Sequence, residues 1–208
     1  MNVDKLFVVG EKILLGITLA APIGPVSIEM IKRGLNGGFW PAFIIRLGGA
    51  IGNTLCLIVT YLGLSQIMGS PTFMKILGLL GAVLLVYMGI STFRADTKEI
   101  NFANIDGASK NGLLWGFYLA IVNPVALVFW PGIFAASMGA QNTINFAGFV
   151  LNLFVIVGVL IWGVGLSLML VFCKQILSRR FIAIITKGAA LCMIFYGCKY
   201  AYYVYLQF

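Results

Sequence analysis

The sequence predicts an all-α integral membrane protein with six transmembrane helices. Of its 208 residues, 61% are hydrophobic and only 10% are charged, and the mean hydropathy is +1.03. Soluble domains carry about 25% charged residues, so we expect the bilayer to be the solvent. Each of six apolar runs is long enough to cross a hydrocarbon core of about 30 Å. These runs fall at about 12–31, 40–67, 73–93, 112–137, 145–173 and 187–206.

One long polar connector, at about 95–111, divides the chain into two halves. Repeat 1 covers about 1–94 and repeat 2 about 112–208, each with three predicted helices. Because three is odd, the second half enters the membrane in the opposite sense, and any similarity between the halves is an inverted repeat. Leu15–Ala20 resembles Trp115–Ala120. We therefore expect one transporter domain built from two inverted repeats.

The distribution of basic residues predicts that both termini lie outside the cytoplasmic membrane. Lysine and arginine are enriched in cytoplasmic loops, and the loops after helices 2 and 4 carry only Lys75. The formal charge of +8 is therefore a topology signal, and we expect membrane lipid and no nucleic acid as partners. Basic residues collect instead after predicted helices 1, 3 and 5, at Lys32, Arg33, Arg94, Lys98, Lys110, Lys174, Arg179 and Arg180.

Prolines break the first and fourth predicted helices in mid-span. Pro22, Gly24 and Pro25 remove two backbone donors within one turn and add a flexible glycine. Carbonyls freed there must face protein or a wet cavity, because hydrocarbon offers them no donor. Asn123 and Pro124 form the corresponding break in helix 4. One break is common in membrane helices, whereas two matched breaks indicate a transport site.

Four further residues are candidates for binding a solute near these breaks. Glu29 lies two turns after Pro22 on the same helix face. Arg46 lies at a similar depth on helix 2, and we expect an ion pair with Glu29; alternatively, Glu29 balances Lys32 or Arg33 while Arg46 extends to the interface. The other two candidates are Asn53, which lies on the Arg46 face and suits a solute or a neighbouring helix equally, and Trp130 in helix 4, for which core packing is favoured over lining a cavity.

Other features favour packing or interface roles. Gly48–Gly52 and Gly112–Gly116 are G-x-x-x-G patterns that let helices approach closely. Four cysteines in apolar runs are expected to be buried free thiols. Five tyrosines near the chain end suit a lipid-facing aromatic belt at the outer interface. They are Tyr196, Tyr200, Tyr202, Tyr203 and Tyr205.

Enzyme chemistry has little support in the sequence. There is no histidine, no aspartate pair in mid-span and no phosphate-binding loop, so the usual general-base, metal and nucleotide arrangements are missing. We therefore expect no enzymatic activity, no catalytic residue, no metal and no cofactor. Transport would be driven by an ion gradient or by the gradient of the solute.

Three segments resemble the lysine exporter (LysE) superfamily. Pro22–Leu35 followed by Gly38–Trp40 is similar to its N-terminal signature, Asn123–Trp130 to its second signature, and Leu80–Ile90 to its third helix. The resemblance implies a secondary carrier that exports amino acids or similar small solutes, with proton coupling and a homodimeric assembly. Many relatives carry an acidic residue near Asn53, so the departure here leaves Glu29 as the sole mid-span acid.

Two other functions remain open at this point. Some members of the superfamily pass electrons through paired cysteines near the helix breaks, which makes a thiol-disulfide carrier one alternative. A non-transporting membrane scaffold is the other, because polar cavities also serve packing. No cysteine falls in predicted helices 1 or 4, so the exporter is the favoured interpretation.

Overall fold

The protein is helical throughout the ranges that its computed structural model describes. These ranges are residues 3–22, 24–67, 71–94, 111–122, 130, 132, 146–172 and 179–207. Seven helices are bounded within them, and no strand occurs there. They are α1 (Val3–Ala20), α2 (Pro25–Gly37), α3 (Phe39–Ile67), α4 (Pro71–Arg94), α5 (Gly112–Ile121), α6 (Phe146–Phe172) and α7 (Arg179–Gln207).

Three of these helices are long and apolar enough to cross a membrane by themselves. The apolar stretches are Phe39–Gly63 in α3, Lys75–Arg94 in α4 and Phe146–Phe172 in α6. A fourth span is possible from α1 and α2 together, whose axes are inclined by 74°. The chain is therefore a helical, multi-pass membrane protein, as the composition predicted.

The predicted helix boundaries agree closely with the structure for α3, α4 and α6. The sixth predicted helix was expected at 187–206, but α7 begins at Arg179. Its first two turns contain no proline, so the helix continues where hydropathy falls at the two arginines. The connector at 95–110 and the segment at 123–129, which contains the second predicted break, lie outside the described residues.

Large apolar side chains cover the outer faces of the bundle. Phe7 on α1, Val59 on α3 and Val83 on α4 are each more than half exposed. A soluble monomer rarely exposes contiguous apolar surface on this scale, whereas acyl chains solvate it readily. These faces are the lipid-contacting surface of the protein.

Two helix pairs meet through glycines. Between α1 and α6, a Cβ atom at Gly16 would overlap the carbonyl oxygen of Val155, and one at Gly158 would overlap the carbonyl oxygen of Ile13. Without a hydrophobic driving force between helices in lipid, such close backbone approach supplies the van der Waals contact that holds them together. The α1–α6 seam therefore depends on small residues at this crossing.

The same arrangement joins α3 to α5. A Cβ atom at Gly48 would overlap the carbonyl oxygen of Leu113, and one at Gly116 would overlap the carbonyl oxygen of Ile45. The prediction that the two G-x-x-x-G patterns serve packing is confirmed, since they face each other. The third pair, α4 and α7, also packs along its length, and α2 lies against α3 and α6.

Two sequence expectations about side-chain environment are wrong in part. Tyr196 and Tyr200 are buried in the main core cluster instead of facing lipid, because α7 turns that face toward α1 and α4. Cys192 and Cys198 are exposed on α7, whereas Cys56 is buried as expected. The thiols of Cys192 and Cys198 and the remaining tyrosines, Tyr202, Tyr203 and Tyr205, are exposed on α7.

We expect Gly48→Ala to destabilise the protein by about 1–3 kcal/mol, because the added methyl group overlaps backbone that cannot move aside. Gly63→Ala in the same helix is the matched control, since nothing lies within 4 Å of a Cβ atom there. Thermal unfolding of the purified protein in detergent measures the difference. Equal melting temperatures for the two variants would show that the α3–α5 crossing tolerates a side chain.

Candidate functional site

The first transmembrane segment is interrupted between Ala20 and Pro25. The last bond of α1 in this region is donated by the Ala21 amide to the Ile17 carbonyl at 2.9 Å. A new helix, α2, begins at Pro25, with extended Gly24 as its N-cap. Proline suits this first helical position, since its missing N–H would have had no partner there.

The start of α2 is left without a side-chain cap, because Gly24 has no side chain to provide one. The first-turn amides of a helix are unpaired within it and form the positive end of its dipole. The Gly24 amide turns back to the Pro22 carbonyl at 3.0 Å. The break therefore places polar backbone, both donors and acceptors, in the interior of the bundle.

A cavity of about 160 Å³ lies beside this break. An apolar cavity of roughly this size, about 150 Å³, is large enough to hold benzene. Polar groups enter from Ser27, Arg46 and Asn53, and from the backbone of the break. The remaining wall comes from α1, α2, α3, α4, α5 and α6 and is apolar, with Leu19, Ala20, Val26, Gly49, Met88, Ala120, Trp130, Val155 and Val159.

Arg46 brings a buried positive charge into this cavity. Its side chain is 6% exposed, and Nη2 donates to Ser27 Oγ at 3.1 Å while Nε lies 3.2 Å from the Met30 sulfur. The stem of the side chain passes over Gly163, where a Cβ atom would overlap it. No carboxylate lies within 4 Å of Arg46 among the described residues.

The full sequence explains this missing counter-ion. Its six acidic residues include Asp4 and Glu11 near the N-terminus and Glu29 in α2; the others, Asp96, Glu99 and Asp106, lie in the connector. No acidic residue occurs at 30–95 or at 107–208. A buried unpaired charge is costly in a membrane and marks a functional position by default.

The expected ion pair between Glu29 and Arg46 is wrong. Glu29 Oε1 accepts from Arg33 Nε at 2.8 Å, and Oε2 lies 3.9 Å from Lys32 Nζ. Residues three and four positions apart share a helix face, so these cations reach Glu29 along α2 while Arg46 extends to Ser27. The alternative is correct for Glu29, which balances Lys32 and Arg33, but not for Arg46, which is buried instead of extending to the interface.

Six of the nine predicted site residues line this cavity. Glu29 lies on α2 outside the lining, and Asn123 and Pro124 fall outside the described residues. The sequence analysis missed Ser27, although a hydroxyl in the first turn of the half-helix that begins at Pro25 could have indicated it. No sequence feature indicated Met88. The six are Pro22, Gly24, Pro25, Arg46, Asn53 and Trp130.

A second polar cluster, which the sequence analysis also missed, surrounds Lys12 in α1. Lys12 is 8% exposed, and its Nζ donates to Asn152 Oδ1 at 2.9 Å and lies 5.8 Å from the centre of the Tyr200 ring. Beside it, Glu11 is paired with Lys199. A lysine inside an apolar run was the signal for this cluster.

The geometry gives little support to a thiol-disulfide relay. Cys56, Cys192 and Cys198 are free thiols and none lines the cavity. Cys173 lies outside the described residues.

Comparison with known proteins places this architecture in a family. The model of the LysE type translocator matches residues 17–204. The chain belongs to the LysE type translocator family. It is therefore a membrane transporter, and this role agrees with the expectation that the protein is not an enzyme. No solved structure matches the chain.

Two curated proteins are similar to this LysE family member over most of their length. One is "Putative amino acid efflux protein YcgF" of Bacillus subtilis, 27% identical over 200 residues, which are 91% of this chain and 93% of that protein. The other is "Chemotactic transduction protein ChpE" of Pseudomonas aeruginosa, 28% identical over 149 residues, 67% of this chain and 73% of that protein.

We expect Gly163→Ala to displace the Arg46 side chain and weaken solute binding in the cavity, because the new methyl group would overlap the arginine stem. Gly165→Ala, two positions along α6, is the control, since a Cβ atom there has nothing within 4 Å. Solute affinity in a counterflow assay is expected to fall about tenfold in the first variant, corresponding to about 1.4 kcal/mol. Unchanged affinity would show that Arg46 can repack.

Proposed function

We propose that this LysE family protein exports small neutral amino acids across the cytoplasmic membrane. The observation that carries the proposal is the buried Arg46 guanidinium, which reaches the cavity at the α1–α2 break without a carboxylate partner. A solute carboxylate would supply the missing charge. The name of the Bacillus subtilis relative, which refers to amino acid efflux, supports the same class of solute.

Two groups would hold the solute carboxylate together. Arg46 and the start of α2 were competing candidates from sequence, but Arg46 and the first-turn residues Val26 and Ser27 line the same cavity. A guanidinium and unpaired helix-terminal amides are both good partners for a carboxylate. The solute ammonium would meet break carbonyls such as that of Pro22, or the side-chain oxygen of Asn53.

The charge distribution favours neutral over cationic amino acids. A lysine or arginine solute brings a second positive charge, which needs a carboxylate in the wall. Glu29 is held by Arg33 and Lys32 and Glu11 by Lys199, and apart from Asp4 near the N-terminus the rest of both helical halves has no acid. The cavity volume of about 160 Å³ and its apolar wall suit a small uncharged side chain.

The packing of helix pairs supports the proposal of six spans in two inverted repeats. In α1 and α6 the residues in contact are Ile13, Gly16, Val155 and Gly158. In α5 and α3 they are Leu113, Gly116, Ile45 and Gly48. Both sets pair a residue with a glycine three positions later on each helix. The first helix of each repeat thus packs on the second helix of the other, as a two-fold axis in the membrane plane requires.

The remaining parts of the proposal follow from charge and from the resemblance. Repeat 1 at about 1–94 and repeat 2 at about 112–208 would be joined by a cytoplasmic connector, with both termini outside. Proton entry would drive export, and the protein would assemble as a homodimer. A scaffold is disfavoured because the break faces a cavity, which Ala120 and Trp130 of the second half also line, instead of dry packing.

Counterflow of radiolabelled leucine in proteoliposomes tests the function directly. We expect Arg46→Met to raise the half-saturating solute concentration about 10- to 100-fold. This ratio corresponds to the binding free energy lost with one charge-assisted hydrogen bond. Arg94→Met, which removes an exposed arginine at the end of α4, is the matched control and should leave affinity unchanged. Failure of the wild type to exchange any amino acid would refute the proposal.

The same assay measures selectivity. Unlabelled leucine, valine and threonine should compete for transport, whereas lysine and arginine in about 100-fold excess should not, because the cavity offers no carboxylate to a second cation. Glu29→Gln should leave this ranking unchanged, since Glu29 is paired along α2. Competition by lysine as strong as that by leucine would contradict the neutral assignment.

A further inference from the structure

Lys12 is a buried amine in the middle of α1, and no carboxylate of the described residues lies within ion-pair distance of it. The adjacent Glu11 is paired with Lys199 of α7 instead. Lys12 donates to the neutral side chain of Asn152 in α6 and lies over the ring of Tyr200 in α7. An ionisable side chain buried in a membrane span is a functional position by default, and substrate binding at the break does not account for it.

Few other groups in the described spans could take up and release a proton. Glu29 is held by two cations, Arg33 and Lys32. Arg46 has a guanidinium, which does not lose its proton in proteins. The chain has no histidine. A lysine amine, by contrast, changes its protonation readily when it is buried.

The Lys12 cluster lies on the same helix seam as the cavity. Lys12 and Leu19 are seven residues apart and therefore on one face of α1, and Asn152 and Val159 are related in the same way on α6. Leu19 and Val159 line the cavity, while Lys12 and Asn152 join the two helices farther along. Separation of α1 from α6 at Lys12 would therefore change access to the cavity.

We propose that Lys12 is the proton-carrying group that couples export to the proton gradient. The inference rests on the proposed function and names its coupling site. A proton from the outer solution binds the neutral amine to give the ammonium, which donates to Asn152 and lies over Tyr200, drawing α1 against α6 and α7. Its release toward the cytoplasm regenerates the amine and frees the seam; no other bond forms or breaks.

The groups around Lys12 fit this role. Glu11 on the same helix and Lys199 on α7 form a neutralised pair beside it. Tyr196, also on α7, donates its hydroxyl to the Glu11 carbonyl at 3.1 Å, and Tyr200 presents its ring. From α6 the facing group is the Asn152 amide, which does not titrate. Lys12 is therefore the member of the cluster whose charge can change without breaking an ion pair.

The test compares exchange with gradient-driven transport in proteoliposomes holding the full-length protein. Leucine exchange at equal pH needs no net proton movement, whereas a pH difference of one unit drives up to about tenfold accumulation in a one-to-one exchange. For Lys12→Met we expect exchange within about twofold of wild type, with accumulation reduced to a ratio of about one.

Lys12→Arg distinguishes a role of Lys12 in proton coupling from a structural role, because arginine keeps the positive charge but cannot release a proton. We expect it to show no accumulation and to exchange leucine more slowly than Lys12→Met, because the permanent charge holds α1 against α6 and α7. Accumulation restored by arginine, or loss of exchange together with accumulation in both variants, would give Lys12 a structural role and overturn the inference. So would Lys12→Met with wild-type accumulation.

Glu11→Gln is the matched control, since it alters the neighbouring pair and leaves Lys12 in place; coupling should persist. Loss of coupling in this variant alone would transfer the role to Glu11 and overturn the inference. Wild-type protein that exchanges no amino acid would refute the proposed function, whereas wild-type exchange with unaltered coupling in Lys12→Met refutes the Lys12 inference alone.

Discussion

Hydrocarbon provides no hydrogen-bond partner for a peptide group, and this constraint organises the whole protein. A helix that stops at Ala20 and restarts at Pro25 has polar backbone that lipid cannot satisfy. Four other helices of the described structure, α3 to α6, therefore surround that point, and their side chains leave a cavity instead of closing over it. The break, the bundle around it and the cavity are consequences of one local sequence, Pro22 to Pro25.

Charges inside the bundle are arranged so that some are paired and others are not. Glu29 with Arg33, and Glu11 with Lys199, are neutralised where they lie. Arg46 and Lys12 have only neutral partners among the described residues, Ser27 and Asn152 respectively. In an ion pair each charge offsets part of the desolvation penalty of the other, whereas an unpaired buried charge needs a ligand or a change of protonation to offset that penalty. In the transport cycle that we propose, Arg46 would bind the solute and Lys12 would carry the proton.

Much of this architecture was predictable because membrane solvation acts on short stretches of sequence. The lengths of the apolar runs predicted the limits of α3, α4 and α6, and Pro22 and Pro25 predicted the end of α1 and the start of α2. The stripe of Arg46, Gly49 and Asn53 was recognisable from helical spacing, and all three line the cavity. The ion-pair partner of Glu29 was not predictable, because Lys32, Arg33 and Arg46 were all predicted to lie close enough to pair with it.

The sequence by itself determined the solvent, the helical class, the position of the first break and the shortage of acids that leaves Arg46 unpaired. Those properties depend on composition and on neighbours within a few residues. Only the tertiary structure decided which faces meet: that Lys12 reaches Asn152, that Tyr196 and Tyr200 are buried, and that Glu29 turns away from the cavity. These contacts join residues up to 188 positions apart, and a pattern of neighbouring residues does not specify which distant helix faces meet.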